Sequence, residues 1–209
     1  MRKIIFDLDG TLLFLSDKWL EMGDDLASKY QTDIPVKELF YVISQVEKDN
    51  PDKYITKEFL IDYINSKLPL GLGQRELEML LEEYAKIPLL DVDAVKNTLS
   101  YLSDKYDLVA YTNWFTDNQI LRLKLNGLDG YFKKVFGWDV LPTKPSKKGL
   151  DEIMGGDDVK DYVFVGDSIE MDLELPDSIG METILLNRKN IIQDKYREIR
   201  SISELEGLL

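Results

Sequence analysis

The sequence predicts an α/β protein: a parallel sheet of about five strands with helices on both faces, into which a separate block of helices is inserted. Three observations predict it: an apolar run at the N-terminus that stops at a carboxylate, a helical block from about Asp17 to Ile87, and a helix–strand alternation from Asp91 onward. Arg2 to Phe6 are β-branched or bulky apolar residues after a basic start, followed at once by Asp, Gly and Thr, which is the pattern of a buried strand running into a polar turn.

The inserted block divides into four stretches of helical periodicity, Asp17 to Tyr30, Val36 to Lys48, Lys57 to Lys67 and Gln74 to Ile87, punctuated by Pro35, Pro51, Pro69 and Pro88. The alternation then predicts a helix over Asp93 to Lys105, a strand over Leu108 to Tyr111, a helix over Asp117 to Asn126 and a strand over Lys134 to Phe136. A helix over Lys147 to Met154, a strand over Tyr162 to Val165, a less regular helical stretch after Asp172 and a strand over Thr183 to Leu186 complete it. Residues 1–16 and 88–209 are expected to form one core and 17–87 a helical unit standing above the strand ends, where it would cover a site.

Composition narrows the chemistry. A chain of 209 residues holds one good core plus a smaller insertion. A net charge of −13 with scattered basic residues argues against nucleic-acid binding. Cysteine and histidine are both absent, so thiolate chemistry and disulfides are excluded. An acid or base must come from Asp, Glu, Lys or Tyr, and a metal site must be built from oxygen, which favours Mg²⁺ over Zn²⁺. No apolar run approaches a membrane span or a signal-peptide core, and a cytoplasmic location is expected.

Four signals fall at strand ends. Asp7-Leu8-Asp9-Gly10-Thr11 places two carboxylates where extended chain gives way to a loop, so that both can face one site, one as nucleophile and one as acid/base. An Asx turn would produce a similar sequence. Thr112-Asn113 follows the second strand with a hydroxyl and backbone N–H groups suited to a phosphate oxygen. Lys144 precedes Pro145 and can neutralise both a carboxylate and a phosphoryl group, whereas Lys147 and Lys148 read as surface residues. Gly166-Asp167-Ser168-Ile169-Glu170-Met171-Asp172 supplies hard oxygen ligands suited to Mg²⁺.

Taken together, these segments resemble the haloacid dehalogenase-like hydrolase superfamily: DLDGT its first motif, YTN its second, Lys144-Pro145 its third and GDSIEMD its fourth. The block after the first motif resembles its helical cap. The resemblance implies a Rossmann-like sheet in the order 5-4-1-2-3, with Asp7 as nucleophile and Asp9 as the acid that protonates the leaving group and then activates water. It implies that Thr112, Asn113 and Lys144 hold the phosphoryl group, that Asp7, Asp9 and Asp167 bind Mg²⁺, and that Asp172 supports the metal.

Within the superfamily, dehalogenases lack the second aspartate, so Asp9 points to phosphate chemistry. The segment from Thr112 through Arg122 to Lys148 is most similar to the nucleotidase, sugar-phosphatase and phosphoglycolate phosphatase-like branch. The expected activity is hydrolysis of a small phosphorylated metabolite, ranked above a sugar phosphomutase and above a catalytically silent binding module. Trp114 replaces a frequent glycine and is expected to pack rather than line the pocket. Pro176 would interrupt a helix unless it occupies a first turn. The aromatic residues Trp19, Phe40, Tyr41, Tyr54, Phe59 and Tyr63 are expected mainly in the core of the helical block.

Overall fold

The computed structural model describes residues 2–31 and 33–209. Strand β1 (Lys3–Phe6) lies at the centre of the sheet because its three residues Ile4, Ile5 and Phe6 are buried on both faces. A short strand β2 (Phe14–Leu15) leads outward, and after a 3₁₀ turn over Asp17–Glu21 come α1 (Met22–Tyr30), α2 (Val36–Asp49), α3 (Lys57–Lys67) and α4 (Gln74–Lys86). The chain returns through β3 (Leu89–Leu90), which pairs antiparallel with β2. The two crossings into and out of the helical layer are thus tied into one ribbon, reinforced by Ser16 N–H donating to the Pro88 carbonyl at 3.0 Å.

Helix and strand then alternate through α5 (Val92–Ser103), β4 (Asp107–Tyr111), α6 (Thr116–Leu125), β5 (Phe132–Phe136), α7 (Lys147–Met154), β6 (Tyr162–Gly166), α8 (Glu174–Ser178) and β7 (Glu182–Leu186), after which a second strand, β8 (Arg197–Ile199), and α9 (Leu205–Leu208) close the chain. The main sheet runs β5-β4-β1-β6-β7-β8, parallel throughout. Its first five strands stand in the expected order. The expected count of about five is corrected to six: β8 escapes a pattern search because it is a three-residue edge strand whose only fully buried side chain is Ile199.

The helical layer has its own apolar cluster, built from faces such as Val36, Leu39, Val42, Ile43 and Val46 of α2, where the spacing follows the helical period. Trp114, Phe115 and Trp138 from the sheet side join that cluster. Trp114 therefore packs, at ring distances of 5.2 Å from Tyr84 and 5.4 Å from Trp138. Trp19, Phe40, Phe59 and Tyr63 pack against the same cluster, but the expectation fails for Tyr41 and Tyr54, which are 68% and 41% exposed. Pro176 lies in the first turn of α8, just after a wide π turn over Ile169–Leu173, so it removes no hydrogen bond from a longer helix. No helix among the described residues is long and apolar enough to cross a membrane.

Candidate active site

The parallel register gathers the strand ends. Phe6 is level with Ala110 of β4 and with Val165 of β6, so the next residues along each strand, Asp7, Tyr111 and Gly166, emerge side by side at about the 4.8 Å strand spacing. Thr112 and Asp167 follow one residue later. Gly10 has φ +89°, and a Cβ there would lie 2.8 Å from Asp167 Oδ2, so only glycine lets the turn after β1 pass this close to the carboxylate.

Lys144 joins the loops electrostatically. Its Nζ donates to Asp7 Oδ1 and to Asp172 Oδ1, each at 2.7 Å, and the residue is only 3% exposed. Burial alone would depress the ammonium, but the carboxylates of Asp172 and Asp7 outweigh it and hold Lys144 above the ordinary lysine range. Asp7 also accepts from Thr11 Oγ1 at 3.0 Å. Its carboxyl is pushed up to about 8, first by burial, against the pull of Lys144, and further by the charges of Asp172 and Asp167. The Asn113 side chain fixes the lysine loop: Lys144 N–H donates to Oδ1 at 2.7 Å, and Nδ2 donates to the Lys144 carbonyl at 3.2 Å.

Carboxylate oxygens of Asp7, Asp167 and Asp172 lie within 4.8 Å of one another, an arrangement able to hold a hard cation. Asp167 Oδ2 meanwhile accepts from Lys189 Nζ at 2.7 Å. These residues, with Asp9, Thr112, Asn113 and Ser168, line a cavity of about 300 Å³. A larger cavity of about 620 Å³ between α2 and α3 contains none of the strand-end residues and lacks convergent chemistry.

The Asp9 carboxylate stands apart from the acidic triad and is held by groups that sequence reasoning missed. Arg122 Nη1 donates to Oδ1 at 2.6 Å, Gln119 Nε2 to Oδ2 at 2.6 Å, and Tyr84 OH from α4 to Oδ1 at 3.3 Å. Gln119 Nε2 also donates to Thr112 Oγ1 at 2.9 Å, which links the first two strand-end motifs. Gln119 and Arg122 are separated by one turn of α6, and this spacing immediately after a functional strand end was the available signal. Glu47 of α2 was missed as well. Asn113 Nδ2 donates to its Oε2 at 2.7 Å, and burial raises its carboxyl above the ordinary glutamate value against that hydrogen bond and the charge of Lys144.

A family model for haloacid dehalogenase-like hydrolases matches residues 4–186, a span that includes every strand end described above. The chain belongs to the haloacid dehalogenase-like (HAD) hydrolase family. Among HAD relatives, the HAD-hydrolase YfnB of Bacillus subtilis is 23% identical over 231 residues, covering 100% of this chain and 95% of YfnB. A magnesium-bound YfnB structure matches with a TM-score of 0.77 at 21% identity, covering 100% of this chain and 98% of that one. A 2-haloacid dehalogenase from Pseudomonas syringae pv. Tomato DC3000 matches with a TM-score of 0.72 at 22% identity, over 100% of this chain and 98% of that one. A HAD phosphatase from Thermococcus onnurineus gives a TM-score of 0.68 at 27% identity, over 100% and 97%. One HAD fold thus carries both dehalogenases and phosphatases, and the choice of reaction falls to the side chains.

Proposed function

We propose that this HAD hydrolase is a Mg²⁺-dependent phosphohydrolase that cleaves a small phosphate monoester through a phosphoaspartate on Asp7. The observation that carries the reading is a second carboxylate, Asp9, lining the same cavity as the buried Asp7–Lys144–Asp172 chain. A halide departs as a stable anion and needs no proton, whereas an alkoxide leaving from phosphorus does. Asp9 supplies that proton and later takes one from the attacking water. A carboxylate attacking a phosphate dianion also requires neighbouring positive charge, and Lys144 is placed to offset part of it.

The donor set fits a magnesium ion: Asp7, Asp167 and Asp172 offer only hard oxygens, and the Asp7 carboxyl, raised first by burial and then by the charges of Asp172 and Asp167, gains from a nearby cation. Asp7, Asp167 and the Asp9 carbonyl would hold the ion directly and Asp172 would support it. When bound, the ion neutralises charge on the phosphoryl oxygens and on Asp7. Thr112 Oγ1 and the Asn113 backbone N–H orient the phosphoryl group, and Asp7 Oδ2, steadied by Thr11, is the attacking atom. In this reading residues 1–16 and 88–209 form the catalytic core, and 17–87 form a cap that closes over the leaving group.

The test is phosphate release from an aryl phosphate with and without Mg²⁺, beside halide release from 2-chloropropionate. Magnesium-dependent phosphate release is expected, falling on the order of 10⁴-fold or more in Asp7→Asn. Halide release without phosphate release, or an Asp7→Asn variant as active as the wild type, would sink the reading.

A further inference from the structure

Among the described residues, every side chain lining the 300 Å³ cavity comes from the sheet side except one, and that one is an acid. Glu47 reaches in from α2, near the end of that helix, where the chain turns into the segment 50–55. This segment is bonded to the loop that carries Lys144. Ile55 N–H donates to the Trp138 carbonyl at 2.8 Å, Thr143 N–H to the Lys53 carbonyl at 2.8 Å, and Thr143 Oγ1 to the Asn50 carbonyl at 2.7 Å. With Asn113 Nδ2 on its Oε2, Glu47 is therefore held in place before any ligand arrives.

Its carboxylate has no direct cationic partner among the described residues. Glu47 makes no ion pair among the described residues, because the two lysines that line the cavity are already engaged: Lys144 by Asp7 and Asp172, Lys189 by Asp167. Oε1 accepts no hydrogen bond among the described residues. Among the described residues of 17–87, no cationic side chain lines the cavity. A group arriving on the cap side of the phosphoryl centre thus meets an acceptor that is fixed, negative and free on one oxygen.

We propose that Glu47 is the specificity-determining residue of this site: it accepts a hydrogen bond from a hydroxyl or ammonium group on the ester's alcohol portion and rejects alcohol portions that carry a second anion. The inference rests on the phosphatase reading above and names its substrate class. Its attractive half follows from acceptor chemistry, since a carboxylate can only receive. Its repulsive half follows from like charges meeting in a partly desolvated cavity, where the wrong partner is discriminated against more sharply than the right one is favoured.

The test compares esters that differ in one group: 2-hydroxyethyl phosphate, 2-aminoethyl phosphate, ethyl phosphate and 2-phosphoglycolate, with an aryl phosphate as the activity control. The hydroxyl and ammonium esters should exceed phosphoglycolate in kcat/KM by at least about 10-fold, with ethyl phosphate between them. Whichever of the two leads identifies the donor. Glu47→Gln and Glu47→Ala should each shrink that ratio to within about 3-fold, chiefly by lowering KM for phosphoglycolate. A ratio that both variants leave intact would overturn the assignment, as would a uniform change across all esters, which marks a purely structural or blocking role. Failure to release phosphate from any ester, the aryl phosphate included, would instead remove the phosphatase reading and this inference with it.

Discussion

The two sides of the cavity are held by different physics. On the sheet side, Asp7, Thr112 and Asp167 leave adjacent parallel strands in register, and the buried Lys144 ties Asp7 to Asp172. On the helical side, Glu47 depends on docking through the backbone hydrogen bonds of segment 50–55, and Tyr84, which reaches Asp9 from outside that cavity, depends on an aromatic cluster with Trp114 and Trp138. Sheet-side geometry is dictated by the fold itself, so a change there costs folding and chemistry together. Geometry on the helical side can vary while the sheet-side groups stay where they are, which suits a surface that selects among leaving groups.

The sharpest way to break this contrast is Lys144→Met. Methionine fills most of the same volume but ends one atom short and carries no charge, leaving the buried Asp7 and Asp172 uncompensated. A stability loss of about 3–5 kcal/mol is expected from urea unfolding, together with loss of phosphate release. A variant as stable as the wild type would mean that the lysine network does not hold the sheet side together.

The same contrast explains what could be read from the residues alone. Asp7, Thr112 and Asp167 were legible because each is the first or second polar residue after an apolar strand, and strand ends of a parallel sheet converge. Gln119 and Arg122 were hidden because polar residues inside a helix read as its solvent face. Yet Arg122 is 1% exposed, and its Nη2 has no hydrogen-bond partner among the described residues. Glu47, beside Lys48 in an amphipathic helix, reads equally as surface, and only the docking of segment 50–55 turns it inward. The β2–β3 ribbon joins residues far apart in sequence through two-residue strands too short for any periodicity to register.

A smaller effect tests the burial of Asp7 on the sheet side. In the metal-free protein the Asp7 carboxyl is pushed up to about 8, above its unfolded value of about 3.9, so its stabilising contribution is greatest at acid pH and is lost as pH rises through about 8. Magnesium binding must displace that proton. Apparent affinity for Mg²⁺, followed by the shift in Tm with ion concentration, should therefore weaken by up to about 10-fold per pH unit below pH 8 and level off above it. Stabilisation by magnesium that does not change between pH 6 and 9 would show that Asp7 is already ionised without the metal.

The smallest expected effect belongs to the one hydrogen bond that crosses from α4 to Asp9. Burial, and then the charge of Asp9, hold the Tyr84 phenol above its ordinary range, so the hydroxyl remains a donor at any working pH. Tyr84→Phe removes that donor but leaves the ring against Trp114 and under the Arg122 guanidinium, whose centre lies 4.5 Å from the ring centroid. Asp9 keeps its two 2.6 Å partners, Arg122 and Gln119, so the cost to stability should stay within about 0.5–1.5 kcal/mol. If the helical layer helps to position the acid, kcat should fall by about 2- to 10-fold for an ester with a poor leaving group and hardly at all for an activated aryl phosphate, whose leaving group needs no proton. Equal effects on both esters would place Tyr84 with the packing of the helical layer, and Asp9 would then be oriented from the sheet side alone.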